Sequence, residues 1–267
     1  VAYPLPSVNL RDSAFQVKVT PGATWEYVPH QGDEEILYQI SVTSESGNYT
    51  KLYSINQIIE FPELYRFDKW VRPSSYYRYE NPKEGSMQWY SSNNGAAIAW
   101  NSPDKPASEY LVKPYKRRDG TAAELTTMKG PGSIAGGINY VPCLSGSMYL
   151  GGFNIMTGLT NPLRSTMFGV PYSNGKPLRL TGEYIFKRGK EDYINSDGTT
   201  DAHKDDLCSI YAILFKTDQE VEFLYGDNIS TSPNVIARAE LDPSELVEGN
   251  DFIPFELHFD YDSYPMP

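Results

Sequence analysis

Apolar and polar residues alternate at every second position through much of this sequence, and that period most constrains its fold. The apolar side chains of Ile36, Tyr38, Ile40 and Val42 fall on one face of an extended strand. Similar short runs recur along the chain, separated by clusters of Gly, Pro, Asn and Asp at the spacing typical of a sandwich or jelly roll. Helix signals are weak and amount to one short turn over 242–250, with Asp242 as cap and Pro243 in the first position. The sequence therefore predicts an all-β protein with more than one third strand and less than one tenth helix.

The chain divides into two expected domains. In residues 1–62, two alternating runs flank the turn at 46–48 and predict a hairpin. This region is typical of a small immunoglobulin-like β unit, although a complete immunoglobulin domain has roughly 100 residues. We therefore expect a partial domain, or one that leans on its neighbour. Pro62 interrupts the chain, and residues 63–267 contain roughly eight to ten further strand patterns, which predict a jelly-roll-like β-sandwich.

The strongly acidic composition limits the partners of the chain. It has 34 Asp and Glu residues against 23 Lys and Arg, for a net charge of −11. A surface of this sign repels the phosphates of nucleic acids and of anionic membranes, so we expect no nucleic-acid partner. No apolar run approaches the ~18 residues of a membrane span. The opening VAYPLPSVNL lacks a basic leader region, so for an exported protein we expect this to be the processed part without its signal segment.

Motifs for metals and cofactors are weak, and we expect no cofactor. The segment 195–206 resembles a calcium loop, but an EF-hand register places Tyr193 and Lys204 where the site needs carboxylates. A looser structural calcium site of Asp197, Asp201 and Asp205 stays open beside the simpler interpretation of a solvated acidic loop.

Motifs for catalysis are equally weak. The sequence has no G-x-S-x-G, no phosphate-binding G-x-x-x-x-G-K-[ST] and no H-E-x-x-H. Glu124 and Glu183 lie in strand patterns and are candidates for a glycosidase pair, which needs two carboxylates across one cleft. The alternative for each is an outward-facing strand position. Cys143 and Cys208 could form one disulfide in an oxidising compartment, but we favour two unpaired cysteines.

Aromatic residues give the strongest functional signal. The chain has 21 Tyr, 11 Phe and 4 Trp, and seven of these lie in 70–100. Sugars stack their C–H faces on aromatic rings, and their hydroxyls pair with Asn, Asp, Gln and Arg side chains. We expect Trp70 and Trp89 to lie in the core. The residues that we predict to bind a glycan are Tyr76, Tyr77, Arg78, Tyr79, Asn93 and Asn94.

Several motifs in a fixed order resemble known families. The hairpin YQISVTSESGNYTKLYSI resembles the end of β-sandwich modules in surface proteins of gut Bacteroidetes. The next stretch resembles the opening of the "putative carbohydrate metabolism" domain, in which F-[ED]-x-W is followed by a tyrosine and by W-x-[ST]-x-N-x-G. TAAELTTMKG at 121–130 and YLGGFNIMTG at 149–158 follow in the order of that family. The residues that match its opening motif are Phe67, Asp68, Trp70, Tyr76, Trp89, Ser91, Asn93 and Gly95.

The resemblance covers about residues 35 to 262, and it implies a location and a function. It implies a carbohydrate-binding jelly roll on lipoproteins of glycan-using bacteria, outside the cytoplasm and anchored to the outer membrane or cell surface. We therefore expect a non-catalytic protein that recognises surface glycans and has further protein partners on the cell surface. A structural or adhesin-like module is the first alternative, and a glycan-active hydrolase is the second.

Overall fold

The computed structural model describes residues 17–28, 38–55, 61–134, 139–172, 174–218 and 220–264. The protein is 40% strand and 9% helix, as the period of the sequence predicts. The predicted fold class, an all-β protein with a β-sandwich, is confirmed. The immunoglobulin-like nature of the first region and the domain boundary near Glu63 stay predictions.

The strands of the described residues alternate with short turns along the chain. In chain order they are β1 (Thr24–Val28), β2 (Tyr38–Thr43), β3 (Thr50–Ile55), β4 (Trp70–Val71), β5 (Asn81–Glu84), β6 (Met87–Ser91), β7 (Val112–Arg117), β8 (Gly120–Leu125), β9 (Met128–Ile134), β10 (Asn139–Leu144), β11 (Met148–Phe153), β12 (Thr166–Phe168), β13 (Arg179–Tyr184), β14 (Tyr193–Ile194), β15 (Thr200–Asp201), β16 (Tyr211–Phe215), β17 (Leu224–Tyr225), β18 (Val235–Glu240) and β19 (Ile253–His258). Every pairing between these strands is antiparallel.

The first three strands form a sheet of their own, in the order β1-β2-β3. The predicted hairpin between β2 and β3 is present, and its turn places Gly47 at a φ of +70°, a conformation that favours glycine. The amide of Gly47 donates to the carbonyl of Ser44 at 2.9 Å and closes the turn. Residues 36 and 37 of the predicted strand lie outside the described residues.

The remaining strands form one large sheet and several two-stranded ladders. The large sheet has six strands in the order β17-β12-β11-β6-β5-β4, and the ladders pair β7 with β8, β9 with β10, β13 with β19, β14 with β15, and β16 with β18. This abundance of short antiparallel pairs is what alternating runs separated by turn residues predict.

Within the residues that the structure describes, two short α-helices interrupt the strands, α1 (Asn93–Trp100) and α2 (Ile155–Thr160). No helix in the described ranges is long and apolar enough to cross a membrane. The described residues also contain 3₁₀ turns at Ala107–Glu109, Pro162–Arg164 and Pro243–Glu245. The last is the predicted turn, and the Asp242 carboxylate accepts from the Ser244 amide at 2.8 Å as its cap.

Helix α1 lies in the core of the second region. Ala96 of α1 is fully buried with Leu111 and Val112, and Trp70 and Trp100 pack against this cluster. The small side chain of Ala96 lets the helix approach the strands closely. A second buried cluster joins Ala239, Leu241 and Leu257. Trp70 and Trp89, the two tryptophans expected in the core, are both half-buried: Trp70 packs against this cluster, and Trp89 packs edge-on against Tyr65 and Phe67.

Candidate glycan-binding site

The turn that precedes the tyrosines is held by a distant carboxylate. Phe67 has a φ of +56°, which is unusual for a residue other than glycine. Glu84 Oε1 accepts from the backbone amides of Arg66 at 2.8 Å and Phe67 at 2.6 Å. Trp70 Nε1 donates to the Phe67 carbonyl at 2.8 Å. These bonds fix the start of β4, and with it one end of the loop 72–79.

A network of buried amides holds the other end of that loop. Asn81 at the start of β5 is fully buried, and its Nδ2 donates to Asn94 Oδ1 at 3.1 Å. Ser91 Oγ donates to Asn81 Oδ1 at 2.6 Å. Asn93 Nδ2 donates to the Val112 carbonyl at 2.6 Å, and its Oδ1 accepts from the Val112 amide at 2.9 Å. The Asn93 side chain therefore pairs with β7 as a strand backbone would.

The burial of Asn93 and Asn94 bears on their predicted role. Their exposed fractions are 0% and 7%, and both polar atoms of Asn93 and the Oδ1 of Asn94 pair inside the protein. A sugar on the surface does not reach side chains in that position. A glycan-binding role for these two asparagines therefore stays a prediction, and their burial does not favour it. Their observed hydrogen bonds stabilise the framework that holds the loop.

The rings of the three tyrosines of the loop lie in a row that runs from the surface into the core. Tyr76 is 62% exposed, and its ring stands edge-on to Tyr77 with the centroids 4.9 Å apart. Tyr79 is buried and lies against Tyr110 at 5.6 Å between centroids. Desolvation by burial raises the pKa of Tyr79 to about 12. Tyr76 is therefore the exposed end of this row, and Tyr77 lies half-buried behind it.

The backbone under the exposed tyrosines is fixed by one hydroxyl. Ser74 Oγ accepts from the amides of Tyr76 at 3.1 Å and Tyr77 at 3.0 Å. The turn fixes the backbone of both residues, and the edge-on contact of the two rings orders them relative to each other.

The segment that follows α1 forms the other side of this surface. Arg78 Nη2 donates to Asp104 Oδ1 at 2.8 Å, and both side chains are more than half exposed. Lys105 Nζ lies 4.4 Å from the centre of the Trp100 ring. The tyrosine surface, as we call it, comprises Tyr76, Tyr77, Arg78, Asp104 and Lys105. The sequence did not identify Asp104 and Lys105 as candidates. They lie in a turn segment, and nothing in its local sequence indicates which loop it contacts.

The two candidate catalytic carboxylates are engaged in surface ion pairs. Glu124 Oε1 lies 3.3 Å from Lys113 Nζ across the β7–β8 hairpin. Glu183 Oε2 accepts from Arg117 Nη1 at 2.9 Å and links β13 to β7. Each therefore has a structural partner on a neighbouring strand, as the outward-facing alternative predicts.

The aspartates of the acidic loop at 195–206 form hydrogen bonds and an ion pair with neighbouring residues of the protein. Asp197 Oδ1 accepts from the Thr199 amide at 2.9 Å and from its hydroxyl at 2.6 Å. Asp201 accepts from a backbone amide of its own turn, and Asp205 pairs with Arg188. In the ranges that the structure describes, no three acidic, His or Cys side chains converge on a metal position. The looser calcium site is therefore not formed by these residues.

Both cysteines are unpaired and half-buried, as we favoured. Burial raises the pKa of the Cys143 and Cys208 thiols, which disfavours the reactive thiolate.

Comparison with known proteins places the chain in a family. Residues 66–265 match the family described as "putative carbohydrate metabolism domain". No curated protein sequence is significantly similar. A solved putative glycoside hydrolase from Bacteroides thetaiotaomicron is 28% identical with a TM-score of 0.66, over 91% of this chain and 70% of that one. A second, from Bacteroides vulgatus, is 25% identical with a TM-score of 0.65, over 76% of this chain and 80% of that one. Because the family match extends over most of its length, this chain belongs to the putative carbohydrate metabolism domain family.

Proposed function

We propose that this protein binds carbohydrate without catalysis, and that the tyrosine surface is its contact site. One observation carries the proposal: Tyr76 is an exposed ring held in place by its neighbours. Its ring packs edge-on against Tyr77, and its backbone is tied to the Ser74 hydroxyl. An exposed ring that is already ordered loses little freedom when a sugar stacks on it.

The polar groups beside the ring suit a neutral sugar. Arg78 offers N–H donors and Asp104 offers carboxylate acceptors, which are the partners that sugar hydroxyls use. Because the two side chains pair with each other, their charges cancel locally. We therefore infer that binding at this surface depends little on salt.

Replacing Tyr76 with alanine is expected to weaken glycan binding by about tenfold, since a stacked ring contributes roughly 1–2 kcal/mol. Tyr76→Phe keeps the ring and should keep most of the affinity. A glycan array on the purified protein identifies the ligand, and isothermal titration with that ligand measures the change.

The matched control is Tyr49→Ala. Tyr49 is 78% exposed but lies in the turn between β2 and β3, which belong to a separate sheet, so its loss should not change binding. Thermal melts should match the parent for all three variants. Unchanged titrations for Tyr76→Ala would place the site elsewhere, and an array without any bound glycan would favour a structural or adhesin-like module.

A glycan-active hydrolase is the second candidate function. It is favoured by the two solved relatives, both described as putative glycoside hydrolases. Incubating the protein with each glycan that binds, followed by an assay for new reducing ends, separates cleavage from binding. Release of reducing ends by the parent protein would overturn the non-catalytic proposal.

We also propose that this chain belongs to a lipid-anchored surface protein of a glycan-using bacterium and lies outside the cytoplasm. The Bacteroides sources of the two relatives support it. Protein partners on the same cell surface belong to this proposal as well.

A further inference from the structure

The ladder of β13 and β19 has one apolar face and one polar face. Leu180 and Leu257 are paired across the ladder and pack into the second core cluster. Residues alternate along a strand, so the partners Arg179 and His258 lie on the opposite face. Glu256 lies two positions before His258 on that same outward face.

An open cleft of about 580 Å³ lies where Arg179 and His258 meet. The chain enters the ladder through Lys176 and Leu178 on one side and leaves it through Tyr261 on the other. The residues that line the cleft are Lys176, Leu178, Arg179, His258, Phe259 and Tyr261.

The two sides of the cleft are tied together. Tyr261 Oη donates to the Pro177 carbonyl at 2.6 Å, and Lys176 Nζ lies 3.8 Å from the centre of the Tyr261 ring. The phenol therefore fixes the Lys176 side chain over the cleft. In the part of the chain that the structure describes, Lys176 has no carboxylate partner, so its charge is not cancelled by an ion pair.

The lining contains positive groups and none that is negative. Lys176 and Arg179 carry permanent positive charge, and His258 adds a third nitrogen group. Glu256, outside the lining, contacts Arg179 Nη1 and His258 Nε2 through one oxygen at 3.2 Å each. Because a guanidinium has five N–H donors, most of those on Arg179 stay available. Lys176 and Arg179 therefore outnumber Glu256 among the described contacts of the cleft, in a protein of net charge −11.

We propose that this cleft binds the anionic group of an acidic sugar, a carboxylate or a sulfate, as a second site apart from the tyrosine surface. Lys176 and Arg179 contact the anionic group, and the apolar surfaces of Leu178 and Phe259 contact the sugar ring. Guanidinium and ammonium groups bind such oxyanions through charge-assisted hydrogen bonds. The identity of the ligand as a sugar rests on the proposed function, whereas its negative charge follows from the lining.

The test uses matched ligands. An oligomer of galacturonic acid and its carboxyl-reduced neutral counterpart are titrated at low ionic strength, beside a sulfated oligosaccharide with a neutral backbone. We expect the uronate, the sulfated sugar or both to bind at least about tenfold more tightly than the neutral counterpart. Added salt should weaken that binding. Equal affinity for the acidic and neutral sugars, or binding of none of the acidic ones, would overturn the proposal.

Two double variants separate a specific site from a general effect of charge. Lys176→Ala with Arg179→Ala should lower the affinity for the acidic sugar about tenfold or more. Lys187→Ala with Lys190→Ala removes the same charge beyond the other end of β13 and should change it little. All four residues are exposed, so both proteins should fold, and thermal melts check this. An equal loss in both double variants would show an effect of net charge alone and would overturn the site.

Tyr76→Ala separates this inference from the proposed function. It should weaken binding of the neutral glycan and leave binding of the acidic sugar unchanged. A protein that binds a neutral glycan through Tyr76 but no acidic sugar would refute only the cleft. A protein that binds no sugar of either kind would refute both.

Discussion

Replacing Trp70 with alanine is expected to lower the free energy of unfolding by about 3 kcal/mol, the low end of the range for large aromatic side chains in cores, because the indole is half-buried. The indole packs against the buried cluster of Leu111 and Val112. Its Nε1 also donates to the carbonyl of Phe67, the residue with the unusual positive φ. The substitution therefore opens a cavity and removes a contact that holds the turn before the tyrosine loop.

Urea unfolding of the parent and the variant measures this loss as a shift in midpoint. Trp25→Ala is the control, because Trp25 lies in β1 and is 37% exposed. Its loss should cost clearly less than that of Trp70. A Trp70→Ala protein that unfolds at the same urea concentration as the parent would contradict the core position of the indole.

Asn93→Ala is expected to cost about 3 kcal/mol of stability, because each buried polar group left unpaired costs roughly 1–3 kcal/mol. The side chain pairs with both the amide and the carbonyl of Val112, which is itself 1% exposed. Alanine keeps the helix but leaves both of those groups without a partner. Asn250→Ala, at an exposed position, should change stability by less than about 0.5 kcal/mol.

The two substitutions also test the assignment of Asn93. Calorimetry on both variants gives the melting temperatures, and titration with the array-identified glycan gives the affinities. A stable Asn93→Ala protein with weakened glycan binding would restore the asparagine to the binding site. A destabilised protein that binds normally at low temperature would confirm its structural role.

The local period of the sequence predicts the fold class, because side-chain alternation is a property of each strand by itself. Helix α1 was not predicted, since NNGAAIAW begins with residues typical of turns and its helical form depends on Ala96 fitting against Leu111. The pairing of those residues is a tertiary contact, and no local pattern contains it.

The site was predictable to a similar extent. Tyr76 lies among Pro, Ser and Arg, and that surrounding composition indicates exposure, which the structure has. Asn93 has the same sugar-binding chemistry in sequence, but its partner Val112 lies 19 positions away. Asp104 reaches Arg78 across 26 positions. The residue types in the sequence therefore indicate candidate glycan-binding residues, but tertiary burial determines which of them are exposed to solvent.

The loop 72–79 is held at both ends by contacts that do not involve its own exposed side chains. Glu84 fixes the turn before it, and the buried Asn81 fixes the strand after it. Its exposed positions, such as Tyr76, can therefore vary without disturbing the sheet beneath, whereas the buried Tyr79 cannot. If the proposed function holds, exchanging this loop between two members of the family is expected to transfer the glycan preference with it, while the framework beneath stays the same.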